Sequence, residues 1–192
     1  MGFVLDASGS MLERLGGRQK IDIAKEVLND FVGSLQPTVQ VGLWVYGHRR
    51  GDRAFQCQQI ELLYPISAVQ PQTLRERINE VTPFGWTPIA KSIELAARDF
   101  RRLPGIVEVM VLISDGEETC GGDPVKAVRE ARQANADLTV HAVGLAVTPE
   151  TRQQLEGIAA AGGGRYYDAS DAASLAAALA AITRPAPAGP AG

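Results

Sequence analysis

Five oxygen-bearing side chains carry the chemistry of this sequence. They are Asp6, Ser8 and Ser10 in the run DASGS, Thr87 in FGWTPI, and Asp115 in ISDGEE. Two are carboxylates and three are hydroxyls. Hard oxygen donors suit Mg²⁺, Mn²⁺ or Ca²⁺ and not a soft metal. Hydroxyls lend lone pairs without cancelling the charge of the cation. A cation held this way stays electrophilic and accepts a carboxylate from outside as its last ligand. The expected chemistry is a bridge from protein to partner, not a closed structural cage.

These residues can meet only if the elements that bear them share one end of a sheet. Phe3–Leu5 is a short apolar run that ends at Asp6. Val39–Tyr46 is rich in β-branched and aromatic residues and reads as a strand. Ile60–Tyr64 follows after a short connection with no helix, so it is expected to pair antiparallel. Val107–Ile113 and Leu138–Val143 are nearly all apolar, as in parallel strands covered on both faces. Arg165–Tyr167 is a further short strand. Apolar residues at three- and four-residue spacing mark helices over Ile21–Leu35, Leu74–Val81 and Ile89–Phe100. Asp123–Pro124 and Thr148–Pro149 open two more as caps followed by proline, and Asp171 caps an Ala-rich helix to about Ile182.

Strands separated by helices give an α/β fold: three layers, doubly wound, with a mostly parallel central sheet, one antiparallel edge strand and helices on both faces. In such sheets ligands bind beyond the carboxyl ends of the strands. Asp6 and Asp115 both lie there, and the turn with Thr87 enters the helix before the Asp115 strand. The five oxygens are expected to converge.

DASGSM, FGWTPI and ISDGEE, in this order and placement, resemble the three parts of the metal-ion-dependent adhesion site of von Willebrand factor type A domains. The resemblance runs from Phe3 to about Ile182 and includes the antiparallel edge strand. It implies Ser8, Ser10 and Thr87 as direct ligands, with Asp6 and Asp115 often acting through water. It implies a partner protein that presents an Asp or Glu carboxylate. Few residues precede Asp6, so the chain is expected to be a fragment whose start lies upstream. Residues 1–183 would form the domain, and TRPAPAGPAG has the composition of a linker.

Two other readings compete. One is a Mg²⁺-dependent hydrolase with Asp6 as nucleophile. Phosphohydrolases of that type carry a second Asp where this chain has Ser8, and no Lys is evident at the strand ends. The other is an intracellular subunit of an ATPase complex. With two histidines in the chain, no Ser/His/Asp set is evident, and a non-enzyme is expected.

Composition narrows the rest. The chain has 192 residues, 45% hydrophobic and 21% charged, with net charge −3. Its 19 basic residues are scattered apart from His48–Arg53, which disfavours nucleic acid. No apolar run approaches the roughly 18–20 residues that cross a bilayer, so no direct membrane insertion is expected. Cys57 and Cys120 follow two strand ends near the same rim. A disulfide there would contribute roughly 4 kcal/mol in the chain-entropy model, and two buried thiols are the equal alternative. The cysteines and the Pro-rich tail favour an extracytoplasmic, monomeric domain of a larger chain. Glu117 and Glu118 are expected to form a solvated acidic rim, His48 a hydrogen-bonded surface residue, His141 a satisfied core histidine, and Arg50–Gly51–Asp52 a chance tripeptide in a polar loop.

Overall fold

The structure is a computed structural model that describes residues 1–100 and 108–183. The chain runs β1 (Gly2–Asp6), a 3₁₀ turn (Gly9–Leu12), a small hairpin of β2 (Arg14–Leu15) and β3 (Arg18–Gln19), α1 (Lys20–Ser34), β4 (Gln40–Tyr46), α2 (Arg53–Gln56), β5 (Ile60–Ala68), α3 (Pro71–Glu80), α4 (Ile89–Asp99), β6 (Glu108–Ser114), α5 (Pro124–Ala134), β7 (Leu138–Leu145), α6 (Pro149–Ala161), β8 (Gly163–Ala169) and α7 (Ala172–Thr183). The main sheet has the order β5-β4-β1-β6-β7-β8. β1 pairs parallel with β4 and β6, and β5 pairs antiparallel with β4. The α/β architecture expected from the sequence is the one observed.

The alternation of side chains explains the layers. Phe3 and Leu5 point to one face, where Leu28 of α1, Ile78 of α3 and Leu179 of α7 cover them. Val4 points to the other, with Ile93 of α4, Val128 of α5 and Ile158 of α6. Every residue of β1 is buried, as a central parallel strand requires. The edge strand β5 is half exposed. It tolerates Pro65 because an edge position loses no ladder hydrogen bond by lacking an N–H.

Three of the expected caps form. Asp123 accepts from Lys126 N, Thr148 from Thr151 N, and Asp171 from Ser174 N. Each removes one orphan amide and stabilises its helix by about 1 kcal/mol.

Several details differ from the sequence reading. The β2–β3 hairpin was not expected. Gly16 and Gly17, at φ +59 and +85, supply the left-handed turn that joins its strands. The β4–β5 connection holds one helical turn, α2, whose Asp52 side chain accepts from Phe55 N. So Arg50–Gly51–Asp52 leads into a helix cap. β5, β7 and β8 are longer than expected, running to Ala68, to Leu145 and over Gly163–Ala169. Cys57 and Cys120 are joined in a disulfide, with Cα atoms 5.5 Å apart. The tail, 184–192, and Val107 at the start of the expected β6 lie outside the described residues.

Candidate functional site

Three loops meet beyond the carboxyl ends of β1, β4 and β6. Ala7 N donates to Tyr46 O, and Gly47 O accepts from both Phe84 N and Gly85 N, at 2.9 and 2.8 Å. Phe84 N also donates to Ala7 O, and Gly9 N to Gly85 O. Ser8 and Gly85 form an isolated parallel bridge. Gly47 has φ +75, and a Cβ there would stand 2.6 Å from Ser8 N, so only glycine fits. This stitching places the Asp6–Ser10 loop beside the turn that carries Thr87.

All five expected residues come together. Asp6 is fully buried. One of its oxygens accepts from Ser8 N at 2.7 Å and the other from Ser114 Oγ at 2.5 Å. The hydroxyls of Ser8 and Ser10 are 3.0 Å apart, and Ser10 Oγ donates to Asp115 Oδ1 at 2.6 Å. A Cβ built on Gly116 would lie 3.5 Å from Ser10 Oγ and 3.8 Å from Thr87 Oγ1. Ser10, Thr87 and the Asp115–Gly116 turn therefore face one small volume.

Thr87 could have been spent as a helix cap, and it is not. α4 begins after Pro88 without a side-chain cap of its own. Its first amides are served from across the site: Glu118 Oε2 accepts from Ala90 N at 2.8 Å. Thr87 N itself donates to Thr119 Oγ1. The Thr87 hydroxyl makes no hydrogen bond among the described residues, although the residue is only 4% exposed. A hydroxyl with free lone pairs on a nearly buried residue, facing Ser10 and the Asp115–Gly116 turn, fits a divalent cation.

Glu118 thus departs from the solvated rim expected of it. Its second oxygen accepts from Cys120 N, so it braces two loops. Glu117 does face solvent. His48 is also more buried than expected: its side chain is 7% exposed and pairs with Glu61 at 2.9 Å. Burial lowers its pKa, and the Glu61 carboxylate opposes that only in part. His141 is satisfied, its Nδ1 accepting from Arg165 N, but it is half-buried and not a core residue.

The sequence reading missed one residue of the site. Lys20 Nζ reaches Asp115 Oδ2 at 2.9 Å and Glu13 Oε2 at 2.8 Å. Its side chain is 7% exposed. No lysine was evident at the strand ends, yet the β2–β3 hairpin folds back and starts α1 with Lys20 against the β6 end. The signal was the Gly-Gly turn, which returns the chain to its starting point.

The charges interact strongly. Burial pushes the Asp6 carboxyl up to about 6, and the charge of Asp115 adds to that. Burial also raises Asp115, but the Lys20 ammonium and the Ser10 hydroxyl oppose it. Burial works against the Lys20 ammonium, and the Asp115 and Glu13 carboxylates outweigh it, so its pKa is raised. Among the described residues no group of three or more His, Cys, Asp or Glu side chains gathers at one point. A cation at these strand ends would depend on hydroxyls and water as much as on carboxylates.

The model of the von Willebrand factor type A domain matches residues 1–181. YwmD of Bacillus subtilis is 34% identical over 174 residues, covering 88% of this chain and 78% of its own length. Among solved structures, BatB of Bacteroides thetaiotaomicron superposes with a TM-score of 0.77 at 21% identity, over 94% of each chain. Proximal thread matrix protein 1 of the mussel byssus, with a zinc-occupied metal-ion-dependent adhesion site, superposes with a TM-score of 0.70 at 18% identity, over 94% of this chain and 43% of its own. These two likenesses are of fold.

Proposed function

This chain belongs to the von Willebrand factor type A domain family, and from that premise we propose that it is a metal-dependent protein-binding module. Ser8, Ser10 and Thr87 would hold a Mg²⁺-type ion directly, with Asp6 and Asp115 in support. When bound, the ion supplies a Lewis-acidic position for an Asp or Glu carboxylate of a partner protein.

The observation that carries this reading is the free hydroxyl of Thr87, a nearly buried residue, facing Ser10 and the Asp115–Gly116 turn. The chain's own residues prepare the position. Asp6 takes the Ser8 amide and so orients the Ser8–Ser10 turn. Ser114 bridges Asp6 and the β6 end. Glu118 relieves Thr87 of capping α4. A zinc-occupied site in a structural neighbour supports a metal at this end of the fold.

The hydrolase alternative gains little from the geometry. Asp6 is buried and both its oxygens are engaged, a poor setting for a nucleophile. Lys20 does stand at the site, but two carboxylates already hold it. The disulfide favours an oxidising, extracytoplasmic setting over an intracellular ATPase complex. No helix among the described residues is long and apolar enough to cross a membrane.

The test is calorimetric titration with Mn²⁺ and Mg²⁺ of the native chain and of Thr87→Ala. Saturable one-to-one binding that Thr87→Ala abolishes is expected. Equal binding by both proteins would overturn the assignment.

A further inference from the structure

The exposed apolar side chains are unevenly placed. Among the described residues the large exposed ones are Leu12, Phe55, Leu62, Phe84 and Trp86. All but Leu62 sit on the connections beyond the carboxyl ends of the strands, Leu12 in the 3₁₀ turn and Phe55 in α2. Phe84 and Trp86, 38% and 40% exposed, stand in the turn that leads into Thr87. Arginines lie on both rings: the Arg50 guanidinium is 4.4 Å from the centre of Phe84, and that of Arg53 is 4.6 Å from the centre of Trp86.

Neither guanidinium has a carboxylate partner among the described residues, whereas the adjacent Arg49 is paired with Glu61. Among the described residues the Arg53 guanidinium donates only to the carbonyl of Thr119. Thr119 Oγ1 in turn accepts from Thr87 N. The arginine loop is therefore tied directly to the residue at the heart of the proposed site. It is also rigid. Asp52 caps α2, Phe55 packs on Gly51, and the disulfide from Cys57 to Cys120 fastens the end of α2 to the loop after β6. Fixed Arg and aromatic side chains that need not be ordered on binding are what energetically dominant interface residues look like.

We infer that Arg50 and Arg53, stacked on Phe84 and Trp86, form a seat for a second carboxylate and a neighbouring apolar side chain of the partner protein, beside the carboxylate taken at the Ser8–Ser10–Thr87 cluster. The inference rests on the proposed function and adds the partner's chemistry: an exposed segment with two acidic residues and an aromatic or branched aliphatic one. Charge complementarity selects it. Two unpaired guanidiniums call for anions, and their aromatic supports call for apolar contact. The chain's net charge of −3 weighs against a nucleic acid as the anion.

The test is a random dodecapeptide library displayed on phage and panned on the full chain in Mg²⁺. Enriched peptides are then measured by fluorescence anisotropy. They are expected to carry two acidic residues and an apolar one within a few positions. Arg50→Ala/Arg53→Ala should weaken them by about tenfold or more. Arg50→Ala alone, which removes no side-chain hydrogen bond among the described residues, should weaken them in the same direction and guards against misfolding of the double variant. Binding indifferent to the arginines overturns the seat, as does the absence of any enrichment, or enrichment without a second acidic residue. An oligothymidylate bound more tightly than the peptides through the same arginines also overturns it. The two readings separate cleanly. Loss on Arg50→Ala/Arg53→Ala, with EDTA and Thr87→Ala harmless, keeps the seat and sinks the metal. Loss with EDTA and Thr87→Ala, but not with the arginine variant, does the reverse.

Discussion

The ends of β1 and β6 each carry one carboxylate, and the protein holds the two in different ways. Among the described residues the groups that donate hydrogen bonds to Asp6 are neutral, Ser8 N and Ser114 Oγ foremost. Asp115 receives one from Ser10 and one from the ammonium of Lys20. Burial raises both carboxyls above the usual carboxylate range, but only Asp115 has a formal charge opposing the rise. Neutral donors suffice to shape a loop around a buried acid. Keeping a second acid ionised next to it takes a fixed cation. The β1 end is thus built for geometry and the β6 end for charge balance.

Removing the cation tests that division most severely. Lys20→Met leaves Asp115 buried without a counter-charge, and breaking a buried pair from one side costs about 3–5 kcal/mol. In EDTA at pH 8, denaturant unfolding is expected to show a loss of about 4 kcal/mol. The loss should shrink as pH falls, because Asp115 can protonate instead. A loss below about 1 kcal/mol would place Lys20 among ordinary surface ion pairs and erase the contrast.

The disulfide holds the loop after β6 and not the loop after β1. Cys57→Ser/Cys120→Ser is expected to cost about 4 kcal/mol. Limited proteolysis should then cut between Gly116 and Gly122 before it cuts between Ala7 and Gly9. Equal cutting of the two loops would show that the strap supports both ends alike.

Asp6→Asn tests the β1 end, with the opposite sign. An amide can still accept from Ser8 N and donate to Ser114 Oγ, and it carries no charge to bury. The folded Asp6 holds its proton to about pH 6 against an ordinary value of 3.8. The folded state therefore binds more protons than the unfolded one between those values, and wild-type stability falls as pH rises through that window. Asp6→Asn escapes this fall. In EDTA it should equal wild type near pH 4 and exceed it by about 3 kcal/mol at pH 8. A melting series that shows the variant weaker at pH 8 would contradict a charge-strained β1 end.

The smallest effect belongs to Thr87→Ala. Its hydroxyl bonds to none of the described residues, so stability without metal should stay within about 0.5 kcal/mol of wild type. Mg²⁺ should then no longer raise the melting temperature. A large loss of stability in EDTA would mean that the hydroxyl holds the fold together and belongs with Asp6.

Asp6, Ser8, Ser10, Thr87 and Asp115 were legible in the sequence because an α/β sheet brings strand ends together whatever the details between them. The apolar runs of β1, β4, β6 and β7 were equally plain, since burial on both faces leaves little choice of residue. Lys20 was not legible. It sits where any amphipathic helix begins, and only the fold-back of a four-residue hairpin pair, Arg14–Leu15 on Arg18–Gln19, aims it at Asp115. Glu118 read as solvated because nothing local reveals that α4 lacks a cap of its own. The arginines of the 48–53 cluster were visible as charge. Their aromatic supports lie more than thirty residues further along the chain, beyond the reach of periodicity. Local chemistry could be read, and long-range pairing of one charged side chain with one target could not.

The single carbonyl of Gly47 accepts from two consecutive amides of the Thr87 turn, and that turn is bonded in both directions to the Ala7–Gly9 loop. No one of these loops can swing open without breaking bonds to the others. The amides of Ala7, Gly9, Phe84 and Gly85 should therefore exchange with solvent deuterium as one cooperative unit, at a common opening free energy rather than on four separate ones. A partner arriving at this face would meet a surface that is either assembled or wholly undone, with no half-open intermediate to exploit.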